Sequence, residues 1–291
     1  MDLLLTLLTI IMTAATPLLL AALGEAVTER SGVLNLGVEG MMVMGAVAGF
    51  GGAFLTGNPW IGILTAIAAG VFMSLLFGFL SLTLLTNQVA TGLALTLLGL
   101  GFSALLGEAF VGQPGVKLPT LAGVDPLIPF SLILTAAVGY VLFRTRIGLI
   151  IRAVGNSHAA AHALGYRVIL VRYLCVMFGG ACAGLAGGYL SLVYTPQWVE
   201  NMTAGRGWIA LALVVFASWL PLRILAGAYL FGTISILSFV LQAQGLGIPS
   251  QFLSSLPYLG TILALVVISG NKALTRRNTP ASLGQPFVPD R

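Results

Sequence analysis

Long runs without a single charged residue constrain this chain more than any other feature of its sequence. The charge-free runs cover residues 3–24, 40–107, 126–143, 173–199, 207–222 and 224–271. Charged residues make up only 7% of the chain, whereas an ordinary soluble domain has roughly 25%. A helix of about 20 apolar residues crosses the roughly 30 Å of hydrocarbon in a bilayer. The sequence therefore predicts an all-α polytopic membrane protein without a separate aqueous domain.

Turn-forming residues divide the longer runs into separate helices. Segments 56–60 and 86–88 interrupt the run from 40 to 107, and segment 242–250 interrupts the last run. The first hydrophobic stretch is interpreted as a retained span rather than a secretory signal, because no positively charged residue precedes it. The sequence thus predicts nine transmembrane helices, at residues 3–23, 41–55, 61–85, 89–107, 127–143, 173–194, 207–222, 224–241 and 255–271.

The basic residues predict how these helices are oriented. Nine alternating spans place all but two of the 13 Lys and Arg residues on one side, with Lys117 and Arg206 on the other. Because Lys and Arg near span ends are retained in the cytoplasm, the N-terminus is expected outside and the C-terminus inside. A transmembrane domain of residues 1–271 would then contain a cytoplasmic loop at 144–172, and residues 272–291 would form a cytoplasmic tail.

The loop at 144–172 contains the signals of a short helix. Asn156 or Ser157 can cap its start, and Gly165 suits the left-handed residue that follows a helix end. A helix near residues 157–164 is therefore expected. Because an isolated helix of two turns is marginal in water, it should rest on another surface. Two interpretations stay open, a solvated connector or a docking element for a partner.

Two histidines and two cysteines could in principle carry metal or redox chemistry. His158 and His162 share a helix face four residues apart, but a zinc site would need further ligands and none is in view. They are interpreted as surface residues. Cys175 and Cys182 are about 10 Å apart along one predicted helix, which is beyond the reach of a disulfide. The cysteines are interpreted as packing residues, and no metal site is expected.

The segment 24–40 is unusually polar for its place between two predicted spans. It contains three acids, one base and four glycines beside otherwise apolar sequence. Irregular backbone at membrane depth is tolerated only against protein or a water-filled cavity. The segment is either an interfacial loop, with Glu25 and Glu29 flanking Arg30, or part of a substrate path.

Five residues are candidates for such a path. Asn35, Gly37 and Glu39 lie close to the start of the second span, where ionisable groups are usually functional. Asn87 and Gln88 lie between the third and fourth spans. They either contribute to a path or merely end two helices.

Glycines recur at four-residue spacing on two predicted helices. They are Gly45 and Gly49 on the second span and Gly180, Gly184 and Gly188 on the sixth. Small residues at this spacing let helix backbones approach closely in a membrane, so packing is their expected role.

Two stretches of the sequence resemble permease subunits of ABC importers. The first is Gly24-Glu25 with residues 29–46, which include Asn-Leu-Gly-Val-Glu-Gly-Met-Met, and the second is Arg152-Ala-Val-Gly-Asn156 with Leu164-Gly165-Tyr166. The chain is most similar to the branched-chain amino-acid and simple-sugar permease family, in its nucleoside or simple-sugar branch. The resemblance implies a permease that pairs with a second permease chain or with itself. It also implies two cytoplasmic ATPase subunits and an external substrate-binding protein.

The resemblance further implies roles for particular residues. The stretch 152–166 is similar to the coupling helix that seats in a groove of the ATPase, and residues 31–40 correspond to a broken helix of the family's sugar members. His158 and Ala159 depart from the Pro-Glu or similar pair that relatives often have at the start of the coupling helix. The implied ATPase-coupling residues are Arg152, Gly155, Asn156, Ala160, Leu164 and Gly165.

The sequence lacks what an enzyme or a motor would need. It contains no phosphate-binding loop of the Gly-x-x-x-x-Gly-Lys-Ser/Thr type and no convergent set of nucleophile, base or metal ligands. No cofactor and no nucleic-acid partner are expected, and ATP hydrolysis is expected on a separate chain. The chain should lie among the lipids of a bacterial-type plasma membrane.

Two alternative functions remain open. One is a branched-chain amino-acid permease of the same family, and the other is a secondary transporter that works alone. Proton-driven carriers usually bury acids or histidines in the bundle. The predicted span interiors contain none, with Glu39 at most at a margin, which disfavours the second alternative.

Overall fold

The structure is a computed structural model that describes residues 2–120, 123–243 and 278–288, together with 249, 251–252, 255–256 and 259–260. These residues form helices and contain no β-strand, apart from one isolated parallel bridge between Val111 and Trp198. Two π-helical turns, Phe79–Thr83 and Leu190–Tyr194, each continue the α-helix that precedes them. The α-helices are α1 (Asp2–Arg30), α2 (Val38–Thr56), α3 (Pro59–Gly78), α4 (Gln88–Gly107), α5 (Leu127–Arg144), α6 (Arg146–Asn156), α7 (His158–Ala163), α8 (Val168–Tyr189), α9 (Arg206–Phe216) and α10 (Pro221–Ala243).

Seven helical segments in the described ranges are long and apolar enough to cross a membrane. This confirms the all-helical, multi-pass prediction, but not the count of nine or the orientation. The span predicted at 207–222 corresponds to α9, which has only 11 residues, and the span predicted at 255–271 lies largely outside the described residues. The seven segments are Thr6–Arg30, Val38–Thr56, Pro59–Thr83, Gln88–Phe110, Leu127–Arg144, Val168–Tyr194 and Pro221–Gln242.

Helix α8 lies at the centre of the bundle and packs against α1, α2 and α3. The contacts are made by glycines. A methyl group added at Gly184 would overlap the carbonyl of Ala66 on α3, and one added at Gly187 would overlap the carbonyl of Met42 on α2. The predicted packing role of the glycine rows is therefore confirmed, since Gly45 meets Gly184 backbone to backbone. Removing side chains lets dispersion contacts form between whole helix backbones.

Helix α1 is longer than the sequence predicted. The span predicted at 3–23 was wrong at its end, because the helix continues through Arg30 and carries Glu25 and Glu29 into the bundle, where both are buried. The expectation that span interiors lack acids was therefore also wrong. A buried acid must find hydrogen-bond donors inside the protein, and both carboxylates have them, as described below.

The segment 144–172 contains two helices rather than one. The predicted short helix is confirmed as α7. Its first amides are capped by Ser157, whose Oγ accepts from the Ala160 N–H at 3.3 Å. Gly165 follows it with a φ of +87°, the left-handed conformation expected for that glycine. The preceding amphipathic helix α6 was not predicted, and Arg172, placed in the loop, belongs to α8.

The two cysteines lie on α8 and the two histidines on α7. Cys175 and Cys182 are free and buried, which confirms their interpretation as packing residues. The described residues contain no group of three or more His, Cys, Asp and Glu side chains that could hold a metal ion.

Candidate functional site

The loop at residues 31–37 interrupts the helical path between α1 and α2 and is folded by its own asparagine. The Asn35 side chain is fully buried, and its Oδ1 accepts from the Gly37 N–H at 2.9 Å. The Asn35 backbone N–H donates to Glu25 Oε1 at 3.3 Å. Gly32 has a φ of +88°, which an L side chain rarely adopts. The turn at Gly37 and the buried Glu25 therefore hold the loop in one shape.

The first turns of α4 form the surface against which this loop lies. Gln88 Oε1 accepts from the Leu34 N–H at 2.8 Å, and Thr96 Oγ1 donates to the Leu36 carbonyl at 3.0 Å. Side-chain groups thus satisfy the backbone groups that a broken helix leaves free. Asn87 is exposed and caps α4, with Oδ1 accepting from the Ala90 N–H at 3.0 Å.

Glu39 connects the start of α2 to the start of α9. Its Oε1 accepts from Thr203 Oγ1 at 2.6 Å and from the Gly205 N–H at 2.8 Å. Its Oε2 accepts from the Gly207 N–H at 2.6 Å. A carboxylate at a helix N-terminus is stabilised both by the free amides and by the helix dipole. Glu39 therefore holds the irregular segment between α8 and α9 against the start of α2, next to the 31–37 loop.

This irregular segment runs alongside α2. The Trp198 side chain packs with Phe50, while Thr203 binds Glu39, and these two α2 residues are 11 positions apart. At 1.5 Å per residue they are about 16 Å apart along the helix axis. The irregular segment between Trp198 and Thr203 therefore lies within the depth range of a membrane-spanning helix.

The turn after α9 reaches the far end of α1. Trp219 Nε1 donates to Glu29 Oε2, and the Arg30 guanidinium donates to the Trp219 carbonyl at 3.4 Å. Trp219 itself has a φ of +57°. The irregular segment and α9 together therefore run from the Phe50 level of α2 to the Arg30 end of α1, so an irregular stretch and a short helix take the place of one full-length helix.

The structure brings together three of the five residues predicted for a path. Asn35, Gly37 and Gln88 meet where the 31–37 loop contacts α4, Glu39 lies four residues beyond Asn35, and Asn87 serves as a helix cap. All except Asn87 are buried. Their polar atoms shape irregular backbone at membrane depth, which is where transporters with discontinuous helices bind substrate.

Sequence reasoning missed the partners of this site. Thr203 and Gly205 lie in a loop that was assigned to the outside, whereas Gly207 lies at the start of a predicted span and Trp219 near the end of the same span. The one available signal was the pair of glycines around Arg206, which is unusual beside an apolar helix.

The coupling residues implied by the resemblance divide into a buried set and an exposed set. Gly155 is buried, and a methyl group there would overlap the carbonyl of Arg30. Arg152 is half-buried, with its guanidinium 5.3 Å from the centre of the Phe143 ring. The exposed members are Asn156, Ala160, Leu164 and Gly165. Leu164 is 77% exposed.

A bundle of membrane-length helices that contains two buried irregular segments is typical of a multi-pass transport protein. The chain belongs to the family described as branched-chain amino acid transport system permease component, which matches residues 7–269. It is a permease subunit of an ABC importer in the plasma membrane.

Three relatives share most of the chain. A permease protein of Haloferax volcanii, named for a proposed glucose ABC transporter, is 39% identical over 94% of both chains. A guanosine ABC transporter permease of Bacillus subtilis is 32% identical over 94% of this chain and 93% of its own. A nucleoside ABC transporter permease of Lactococcus lactis is 29% identical over 88% of this chain and 90% of its own.

Each of these organisms has a second, less similar permease protein named for the same substrate. The second Haloferax protein is 30% identical over 62% of this chain and 55% of its own. The second Bacillus protein is 24% identical over 81% of this chain and 74% of its own. The second Lactococcus protein is 23% identical over 75% of this chain and 68% of its own.

Proposed function

We propose that the chain forms part of the translocation path for a small polar solute, a nucleoside or a simple sugar. The relatives that cover most of the chain are named for glucose, guanosine and nucleosides. The alternative cargo, a branched-chain amino acid, is supported by the description of the family alone. The path is assigned to the 31–37 loop and to the irregular segment between α8 and α9. The residues at or beside the 31–37 loop are Asn35, Gly37, Glu39, Asn87 and Gln88.

Coupling to ATP hydrolysis on a separate chain is assigned to α7. The observation that carries this assignment is the exposed apolar surface of this helix and the turn after it, which presents Ala160, Ala163 and Leu164 outside the membrane spans. A short helix with small side chains and one protruding leucine has the shape that fits a groove, in the manner of helix-in-groove recognition. We assign that groove to a cytoplasmic ATPase subunit.

The proposed orientation follows from this assignment. The α7 side is cytoplasmic, the N-terminus is outside, and a substrate-binding protein delivers cargo from the outer face. The transmembrane domain covers residues 1–271 and the cytoplasmic tail residues 272–291. The excess of Lys and Arg in the 144–172 segment supports this orientation.

The second permease subunit is proposed to be a different chain. In each of three organisms, the match to this chain extends over at least 90% of one relative's length but over 74% or less of the other's. This chain therefore resembles one member of each pair. A mixture of the two permeases should give a heterodimer on a sizing column, and a homodimer of this chain alone would contradict the assignment.

Docking is tested by placing a charge on the exposed surface. Leu164→Asp and Ala160→Asp should leave insertion and thermal stability unchanged and should abolish co-purification with the ATPase. Leu84→Asp is a matched control, because Leu84 is 55% exposed in the loop between α3 and α4. Undiminished ATPase binding by Leu164→Asp would remove α7 from the docking surface.

Cargo is tested in vesicles that contain the complete transporter. Uptake of labelled guanosine, glucose and leucine is compared with and without ATP on the side of the membrane that carries the ATPase subunits. Uptake of guanosine or glucose, driven by ATP, is expected, and a preference for leucine would overturn the cargo assignment. The buried Glu25 and Glu29 are the feature that a secondary transporter would use, so uptake by this chain alone without ATP would favour that rival.

A further inference from the structure

Residues 278–288, which we name the C-terminal strap, lie across the junction between α6, α7 and the 31–37 loop. The Ser282 N–H donates to the Gly155 carbonyl at 2.9 Å, and Ser282 Oγ donates to the Asn156 carbonyl at 3.2 Å. The Gly284 N–H donates to the Gly32 carbonyl at 3.1 Å. The strap therefore bonds to the end of α6 and to the loop of the candidate path at the same time.

The side chain of Arg172 on α8 connects the 31–37 loop, the C-terminal strap and α7. Its side chain is 1% exposed. Nε donates to the Ser31 carbonyl at 3.3 Å, Nη1 donates to the Gln285 carbonyl at 3.0 Å, and Nη2 donates to His158 Nδ1 at 3.3 Å. One guanidinium thus contacts the loop, the strap and α7. Its planar set of donors suits three carbonyl and ring acceptors at fixed angles.

Phe287 is the apolar anchor of the strap. Its ring is 5.3 Å from the ring centre of His158 and 5.3 Å from that of His162, and its side chain is 7% exposed. It packs with Val154 and Ala161, so it touches the inner face of α7 while the outer face stays open. The two histidines, four residues apart, hold the ring between them.

We propose that the C-terminal strap is the link through which a displacement of α7 reaches the 31–37 loop. This inference rests on the proposed function of α7 as the docking helix. Phe287 ties the strap to α7, and the Gly284 N–H ties it to Gly32. A displacement of α7 then moves Phe287 and, three residues away, Gly284, which is bonded to the loop that contains Asn35. No membrane-spanning helix lies within this link.

The link is broken by Phe287→Asp, and Val288→Asp is its matched control because Val288 is 61% exposed. Both variants are assembled with the second permease, the ATPase and the binding protein. Phe287→Asp should keep its ATPase subunits, since the outer face of α7 is intact, but lose at least tenfold in uptake and lose the stimulation of ATP hydrolysis by cargo. Val288→Asp should match the unaltered protein. Unchanged uptake by Phe287→Asp would overturn the proposal, and so would loss of ATPase binding, which would make the strap part of the docking surface.

A milder variant keeps the test decisive if Phe287→Asp does not accumulate. His162 is exposed, so His162→Ala removes one side of the ring contact without a buried cavity, and uptake should fall about threefold with the ATPase retained. His162→Phe restores a ring and should restore uptake. Full uptake by His162→Ala, or no rescue by His162→Phe, would contradict the link. Retention of the ATPase by Leu164→Asp would instead contradict the docking role of α7, so the two failures are distinguishable.

Discussion

The 31–37 loop and helix α7 are both polar interruptions in an apolar chain, yet they have opposite surroundings. In the loop, Asn35 is fully buried and its backbone and side chain both bond to protein groups. In the α7 region, Leu164 is 77% exposed, and the alanines of the outer face, Ala159, Ala160 and Ala163, are exposed as well. The loop is fixed by its own contacts, whereas α7 leaves one face exposed.

This difference teaches how to interpret polarity in a membrane protein. At membrane depth every backbone N–H and C=O must find a partner within the protein, so a polar segment there is tightly constrained by its contacts. Outside the spans water satisfies the same groups, so a segment is free to present its surface to another chain. Substitutions should therefore destabilise the protein at the loop and change association at α7.

The largest effect is expected at Glu39. Glu39→Leu leaves the donors of Thr203, Gly205 and Gly207 without their acceptor, and each buried donor left unpaired costs about 1–3 kcal/mol. The thermal midpoint in detergent should fall sharply. Glu200→Leu, at an exposed acid in the same connection, is the control and should change little. Equal midpoints for the two variants would show that Glu39 does not hold α9.

A smaller loss of stability is expected where the end of α6 packs against the end of α1, between α7 and the 31–37 loop. Gly155→Ala adds a methyl group against the Arg30 carbonyl and forces α6 away from α1. Overpacking of this kind costs about 1–3 kcal/mol. Gly101→Ala is the matched control, because open space surrounds a methyl group at that helical position. If both substitutions are neutral in thermal unfolding, the close contact between α6 and α1 is not present.

At α7 itself the expected effect is local. Ser157→Ala removes the cap of the helix and costs about 1 kcal/mol, which should appear as faster deuterium exchange of the α7 amides with an unchanged global midpoint. Asn156→Ala, at the neighbouring exposed position, should not change that exchange. A global fall in the midpoint would mean that α7 is as much a part of the core as the 31–37 loop.

The smallest effect is expected from pH. Burial, and then the charge of Arg172, lower the pKa of His158 below its ordinary value of 6.5. The neutral ring accepts from Arg172, so this contribution to stability is present above about pH 6.5 and is lost as the pH falls through the lowered pKa of the folded state. The protection factors of the strap amides, which correct for the pH dependence of intrinsic exchange, should therefore fall as the pH drops below about 6.5.

His158→Gln tests this assignment, because it keeps an acceptor but does not titrate in that range. In the variant, the protection factors of the strap amides should not change with pH over this range. His162 faces Phe287 from the same helix and is the other group that titrates nearby, so the dependence that survives in His158→Gln would belong to it.

Local signals made parts of this fold predictable. Asn58 and Pro59 mark the start of α3, Asn87 marks the start of α4, and Gly165 marks the end of α7. Each depends on atoms within four residues, so the sequence contains the full information. The role that the resemblance implies for α7 rests on the same kind of local pattern and stays a prediction.

The contacts that organise the site were out of reach because they join distant parts of the chain. Glu29 and Trp219 are 190 residues apart, and Glu39 and Thr203 are 164 apart. A buried acid without its partner in view resembles a loop residue, which is why α1 was ended at residue 23. Arg172 was assigned to a solvated loop for the same reason, since its acceptor on Ser31 is 141 residues away.

The shortness of α9 has a consequence for biogenesis. Its 11 residues extend about 16 Å, whereas an independent transmembrane segment needs roughly 20 apolar residues. Its amino-terminal amides also need Glu39, which is synthesised 164 residues earlier. We therefore expect the insertion of α9 to depend on its docking onto α2, so a defect at Glu39 should appear in the cell as a failure of topology as well as of stability.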